Sequence, residues 1–266
     1  MWFRDHYYWV WVFLTGLLFC GSVRGVVINI PADQPTIQAG IDSAIDGDEV
    51  VVAPGTYLIT ATIDFLGKAI TLRSVSGDPN DTILDGQGSV FHVVQCVNGE
   101  DSNTVLSGFT ITGGNANSTD HTDYTSNGGG MFNRDSGPTI THCIFRGNFA
   151  ADFGGGISNQ NSHPVIRDCD FSNNTSDGMY NAGNFPISSS PFVSNCTFKN
   201  NTGAGMYNVS SSPVIQDCQF NDNISRGIHN ANSSKPKILN CDFSGKRQSF
   251  FTTHLHVSFT PTKSLS

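Results

Sequence analysis

The side chains best suited to acid–base work in this sequence recur at one kind of position. His142, Asp168 and Asp217 each stand immediately before a cysteine, at Cys143, Cys169 and Cys218. Superposed, they put a histidine and two carboxylates on one edge, His142 next to Asp168 and Asp217 two steps on. Such a column suits proton transfer or a cation. The same position carries Asn195 and Asn240 before the two remaining cysteines of the series. The plainer reading is therefore that Asp substitutes for Asn at a bend, since both tolerate left-handed backbone. That reading is favoured, and no residue is assigned a catalytic role. Asp170 and Asp242, each between a cysteine and a phenylalanine, are three units apart. That is roughly 14 Å at strand spacing, beyond the ~5–9.5 Å that paired glycosidase carboxylates use.

A second set of residues suits binding. Phe132, Tyr180, Tyr207 and His229, with Ser158 among them, each follow an apolar residue (Met131, Ile157, Met179, Met206, Ile228). If the apolar residues point inward, alternation turns the rings outward. A stripe of rings suits a sugar surface, which makes a polysaccharide or cell-surface glycan the candidate ligand. Ring stacking that stabilises the sheet is the favoured explanation. No metal or cofactor is expected. The cysteines lie whole units apart rather than two to four residues, and Asp46–Glu49 and Asp78–Asp81 match no calcium loop.

The elements that must position these residues are repeats. Aligned on cysteine, five blocks appear: PTITHCIF (138–145), PVIRDCDF (164–171), PFVSNCTF (191–198), PVIQDCQF (213–220) and PKILNCDF (236–243). The cysteine steps are 26, 27, 22 and 23 residues. A second series, GGGMFN, GGGISN, DGMYN, AGMYN and RGIHN, carries Asn at 133, 159, 181, 208 and 230, in step with the first. Units this short cannot close a core alone and must stack on their neighbours. Cys and Phe two apart share a strand face, so stacking in register builds one internal column of each. The β-branched residue three before Cys breaks alternation, which requires a bend at the residue between. The architecture is an all-β parallel β-helix of roughly eight coils over residues 26–245. Phe109 and Ile111 take the Cys/Phe positions in an earlier coil, Val90–Val94 reads as a coil strand, and Asn115–Asn127 reads as a polar surface loop. Thr36–Ile45, with Ile37, Ile41, Ala44 and Ile45 at helical spacing and Pro35 in the first turn, is expected to plug the first coil as a short helix.

Composition agrees. Charged residues are 14% and the net charge is −8, which excludes the basic stripe a nucleic-acid partner requires. Glycine, at 28 residues, and 24 asparagines favour turns over helices. The apolar run Val10–Phe19 is too short to span a bilayer and fits the core of a secretory signal over residues 1–25; no later segment is apolar enough to cross a membrane. Residues 246–266 carry no repeat marker and are expected to form an irregular tail, or to mark a truncated fragment of a longer array. Parallel Cβ vectors about 4.8 Å apart do not suit disulfides, so most cysteines are expected as free thiols.

The opening PTIQAGIDSAIDGDEVVVAPGTY (35–57) resembles that of secreted bacterial right-handed β-helix proteins of the pectate-lyase-like superfamily. FRGN (145–148), FSNN (171–174), FKNN (198–201), FNDN (220–223) and GGGI (154–157) resemble the F-x-x-N and G-G-[AI]-I repeats of polymorphic outer-membrane proteins. The resemblance implies a right-handed, single-stranded β-helix, exported to the cell surface, outer membrane or medium. A long repetitive surface without a convergent polar site points to a non-catalytic binding or adhesive role, and the resemblance implies polysaccharide lyase or glycoside hydrolase activity as the alternative. The oligomeric state stays open.

Overall fold

The computed structural model describes residues 25–121, 124–184 and 188–245. Within them the chain winds as a β-helix in which each strand pairs, parallel, with its counterpart one coil away. Three long sheets result, of nine, eight and seven strands. The nine-stranded sheet runs from Val27–Ile30 to Lys237–Leu239, the eight-stranded from Gly55–Leu58 to Asp242–Ser244, and the seven-stranded from Ile63–Asp64 to Ile228–Ala231. That is about eight coils. The expected signal segment and tail fall, apart from Gly25, outside the described residues.

Each Cys/Phe block splits into two strands at the residue before cysteine. Thr139–Thr141 belongs to the nine-stranded sheet and Ile144–Arg146 to the eight-stranded one. His142, Asp168, Asn195, Asp217 and Asn240 all adopt positive φ, between 48° and 55°. The backbone turns there through the left-handed region, which Asn and Asp enter at least cost. Pro138, Pro164, Pro191 and Pro213 lead successive strands. Proline lacks the N–H a sheet interior needs, but its carbonyl accepts from the next coil, as Val165 N–H donates to Pro138 O at 3.0 Å.

Inside, like stacks on like. Phe145, Phe171, Phe198, Phe220 and Phe243 form a continuous stack with centroids 4.7–5.2 Å apart and planes within 6°. Phe109 and Ile111 extend the two columns, Ile111 pairing with Phe145. Cys143, Cys169, Cys196 and Cys218 are buried and Cys241 partly so; these five and Cys96 are free thiols. Each thiol of the column donates to the carbonyl two residues back, for example Cys169 Sγ to Arg167 O at 3.1 Å. Burial pushes the Cys143 thiol up to about 12.

Two buried amide ladders tie the coils. Asn133, Asn159, Asn181, Asn208 and Asn230 bond in series, each Nδ2 donating to the next Oδ1 at 2.8–2.9 Å. The Asn of each F-x-x-N motif forms the other. Asn148, Asn174 and Asn201 donate Nδ2 to the next Oδ1 at 2.8–3.2 Å. They also donate back to a carbonyl of the preceding coil, as Asn201 does to Phe171 O at 2.9 Å.

Three expectations need correction. The plug helix is Ile37–Ser43, with Thr36 as its N-cap and Pro35 ahead of the cap. It ends because Ala44 is extended, which turns Ile45 outward to 64% exposure, while Lys68 Nζ donates to the carbonyls of Ile41, Asp42 and Ala44. The strand expected at Val90–Val94 runs instead over Val94–Cys96, so Cys96 pairs with Asn133 and stands outside the thiol column. The segment 115–127 is no plain surface loop: Asn115–Ala116 pairs with Phe149–Ala150, and Ser126 and Asn127 are buried.

Asn181→Ala leaves a buried donor on Asn159 and a buried acceptor on Asn208 without partners. It is expected to cost about 2–4 kcal/mol, read as a fall in unfolding free energy in urea; a loss below about 1 kcal/mol would refute the ladder's role. Alkylation of the denatured, unreduced chain is expected to label Cys143, Cys169, Cys196, Cys218 and Cys241, and protection of any adjacent pair contradicts the stacked-thiol column.

Candidate functional site

The outer face of the seven-stranded sheet gathers rings and charges. Met131, Ile157, Met179, Met206 and Ile228 are fully buried, and the residues after them pair in register as Phe132, Ser158, Tyr180, Tyr207 and His229. These do turn away from the core, but they do not stand as an open stripe. Phe132 is only 4% exposed and Tyr180 8%. Ser158 is too small to continue the ring column, and neighbouring segments pack over it and over the rings on either side. Gly128 packs against Ser158, close enough that a Cβ there would sit 3.1 Å from the serine Cβ. Phe153 stacks on Tyr180 at 4.5 Å. His92 and Tyr124 stack on Phe132 at 5.0 and 5.7 Å.

The result is a ladder whose ring faces are largely turned on one another. Tyr207 and His229 lie 4.4 Å apart with planes 6° off parallel. Tyr180 and Tyr207 are tilted by 55° at 5.4 Å. Phe153 meets Tyr207 edge-on, at 70° and 5.5 Å, making a corner of two rings. Phe153, Tyr207 and His229 remain partly exposed. Accessibility is thus confined to the lower half of the stripe.

Two carboxylates border that half. Asp152 Oδ2 accepts from Ser126 Oγ at 2.7 Å and lies 2.7 Å from His121 Nδ1, pinning the preceding segment. Asp177 is buried, with Oδ1 accepting from Ala204 N–H at 2.8 Å. Burial raises its carboxyl to about 6, against the downward pull of backbone N–H groups including those of Ala204 and Gly154. Burial, then the charges of Tyr207, Asp177 and Asp152, push the Tyr180 phenol up. Burial also raises Tyr207 and, with Arg226, lowers His229.

The acid–base candidates are elsewhere, at the left-handed bends between the other two sheets. His142 Nε2 is 3.9 Å from Asp168 Oδ2. Asn195 Nδ2 donates to Asp168 Oδ1, and Asn240 Nδ2 to Asp217 Oδ1. Bonds from Asn240 and Gln216 hold the Asp217 carboxyl below its usual range, which suits an ionised acceptor rather than a proton donor. The column is a mixed Asp/Asn ladder. Asp170, fixed by Lys199 Nζ at 2.7 Å, joins no second carboxylate. Among the described residues no three or more His, Cys, Asp or Glu converge as a metal site.

Sequence reading missed Phe153, His92, Tyr124, Asp152 and Asp177. Only Asp177 had left a signal. It stands in a column otherwise held by Gly129, Gly155, Ala204 and Arg226, where backbones approach so closely that a Cβ on Gly155 would meet Thr175 O at 2.2 Å. A carboxyl there is out of keeping with its neighbours.

These sheets and ladders define a right-handed β-helix protein. The profile of the right handed beta helix region matches residues 82–260, and the chain belongs to that family. No curated protein matches the sequence. Among solved structures, pectate lyase Pel9A superposes with a TM-score of 0.55 at 14% identity, covering 76% of this chain and 56% of its own length. This chain therefore spans little more than half of that enzyme. Pectin methylesterase PemA from Erwinia chrysanthemi gives 0.49 at 12% identity over 83% of this chain and 79% of that one. The pectin methylesterase from Aspergillus niger gives 0.47 at 13%, over 89% and 93%. At such identities the likeness to the lyase is one of fold alone.

Asp177 generates a pH test. A carboxyl raised in the folded state favours folding below its unfolded value and loses that contribution as pH climbs through about 6. Asp177→Asn is therefore expected to gain on wild type by about 2 kcal/mol between pH 4 and pH 7, measured as the difference in unfolding free energy at each pH. A difference that does not change with pH contradicts the assignment.

Proposed function

We propose that this is an exported, non-catalytic β-helix protein that acts at the cell surface or outside it by binding carbohydrate along the accessible half of the ring ladder. The observation that carries the reading is convergence. Phe153, Tyr207 and His229 are partly exposed side by side on the outer face of one sheet, with the partly exposed Asp152 next to Phe153 in the chain. Rings with polar groups at their edges are what sugar surfaces require. The hydrogen bonds that tie Asp168 and Asp217 to Asn195 and Asn240 support a structural role for those carboxylates. The apolar run at Val10–Phe19 supports export, and the F-x-x-N and G-G-[AI]-I motifs support a surface role of the polymorphic outer-membrane type.

A second reading, polysaccharide cleavage, draws on one specific feature: Asp177, raised to about 6, lies within the electrostatic reach of Tyr180 and Tyr207, an arrangement compatible with proton donation near neutrality.

Glycan-array binding is expected for the wild type and is expected to fall at least tenfold in the Tyr207→Ala/His229→Ala double variant. No binding, or binding indifferent to both substitutions, removes the reading. Release of reducing or unsaturated sugars from a polysaccharide panel, abolished by Asp177→Asn, replaces it with the enzymatic one.

A further inference from the structure

We propose that the corner between Phe153 and Tyr207 receives a cationic nitrogen, so that the glycan bound along this sheet is built of amino sugars rather than uronates. This deepens the reading above and rests on it.

The two rings meet at 70° with centroids 5.5 Å apart, while Phe153 is 37% exposed and covers Tyr180. An aromatic face presents the negative part of the ring quadrupole, which attracts an ammonium within about 6 Å of the centroid. Neighbouring carboxyl groups reinforce that preference. Asp152 and Asp177 both act on the Tyr180 phenol, and Asp177 on Tyr207 as well. His121 lies against Asp152 with most of its ring in solvent. The guanidinium that acts here, Arg226, bears on Tyr207 and His229, one and two coils beyond Tyr180. The partly exposed Asp152, next to Phe153 in the chain, puts negative charge on the Phe153 side of the corner, and Arg226 lies toward the His229 side. A uronate at the corner meets a charge of its own sign on Asp152, whereas a glucosamine nitrogen is drawn to that carboxylate and to the two rings. A neutral sugar keeps the ring contacts and loses the charge term.

The test uses the whole protein and three hexasaccharides: β-1,4-linked glucosamine, its N-acetylated counterpart, and oligogalacturonate. Titration calorimetry at low salt is expected to show the glucosamine hexamer binding at least tenfold more tightly than the acetylated one, with oligogalacturonate weakest. Phe153→Ala and Asp152→Asn are each expected to reduce that preference to threefold or less. If both hexamers bind equally and Tyr207→Ala still abolishes binding, the glycan surface stands and the cationic corner falls. A preference that survives both substitutions reflects attraction to the net charge of −8 and also overturns the inference. Absence of binding to all three sugars overturns the inference, while the reading it rests on stands or falls with the glycan array.

Discussion

Everything in this molecule depends on register. Identical or similar side chains meet one coil above and one below, and a slip of one residue would turn Phe toward solvent and polar residues toward the core. Stacked phenylalanines reward register with contact area, but shape alone tolerates small shifts. The amide ladders do not. A buried Asn finds its partner only when the next coil puts another Asn at the same level, and otherwise leaves a donor and an acceptor unsatisfied in a dry interior. The five-membered ladder from Asn133 to Asn230 and the F-x-x-N ladder beside it therefore act as pins.

This explains why units of unequal length stack cleanly. The four steps between cysteines differ by up to five residues, yet Met131 to Ile228 pair without an offset. The extra residues are extruded at the corner between the eight- and seven-stranded sheets and between the seven- and nine-stranded ones. One such extrusion, around Asp152-Phe153-Gly154, supplies the ring that Ser158 lacks. The face that gathers these rings is thus a by-product of an insertion absorbed by a rigid scaffold.

The same division sets what was legible in the sequence. The Cys/Phe columns, the bend residues and the approximate coil number could be read because each is a local pattern repeated five times. Cys96 could not be placed, since its unit lacks the markers of the later coils. Ile45 was misread because helical spacing says nothing of where a helix stops. The ring positions Phe132, Tyr180, Tyr207 and His229 were found by alternation, but alternation reports a direction and not what lies over it. Phe153 and Tyr124 come from segments outside the repeat, and their contacts with Tyr180 and Phe132 span distances that no periodicity encodes.

The amides of the longer ladder all point the same way, each donating toward the C-terminal end. Unpaired atoms occur only at its extremities, Asn133 Oδ1 and Asn230 Nδ2. Such a polar chain has no midpoint and no preferred length. A gene duplication or deletion that adds or removes one whole unit rejoins donor to acceptor wherever the break falls, so the number of repeats can drift among descendants while the interior stays satisfied.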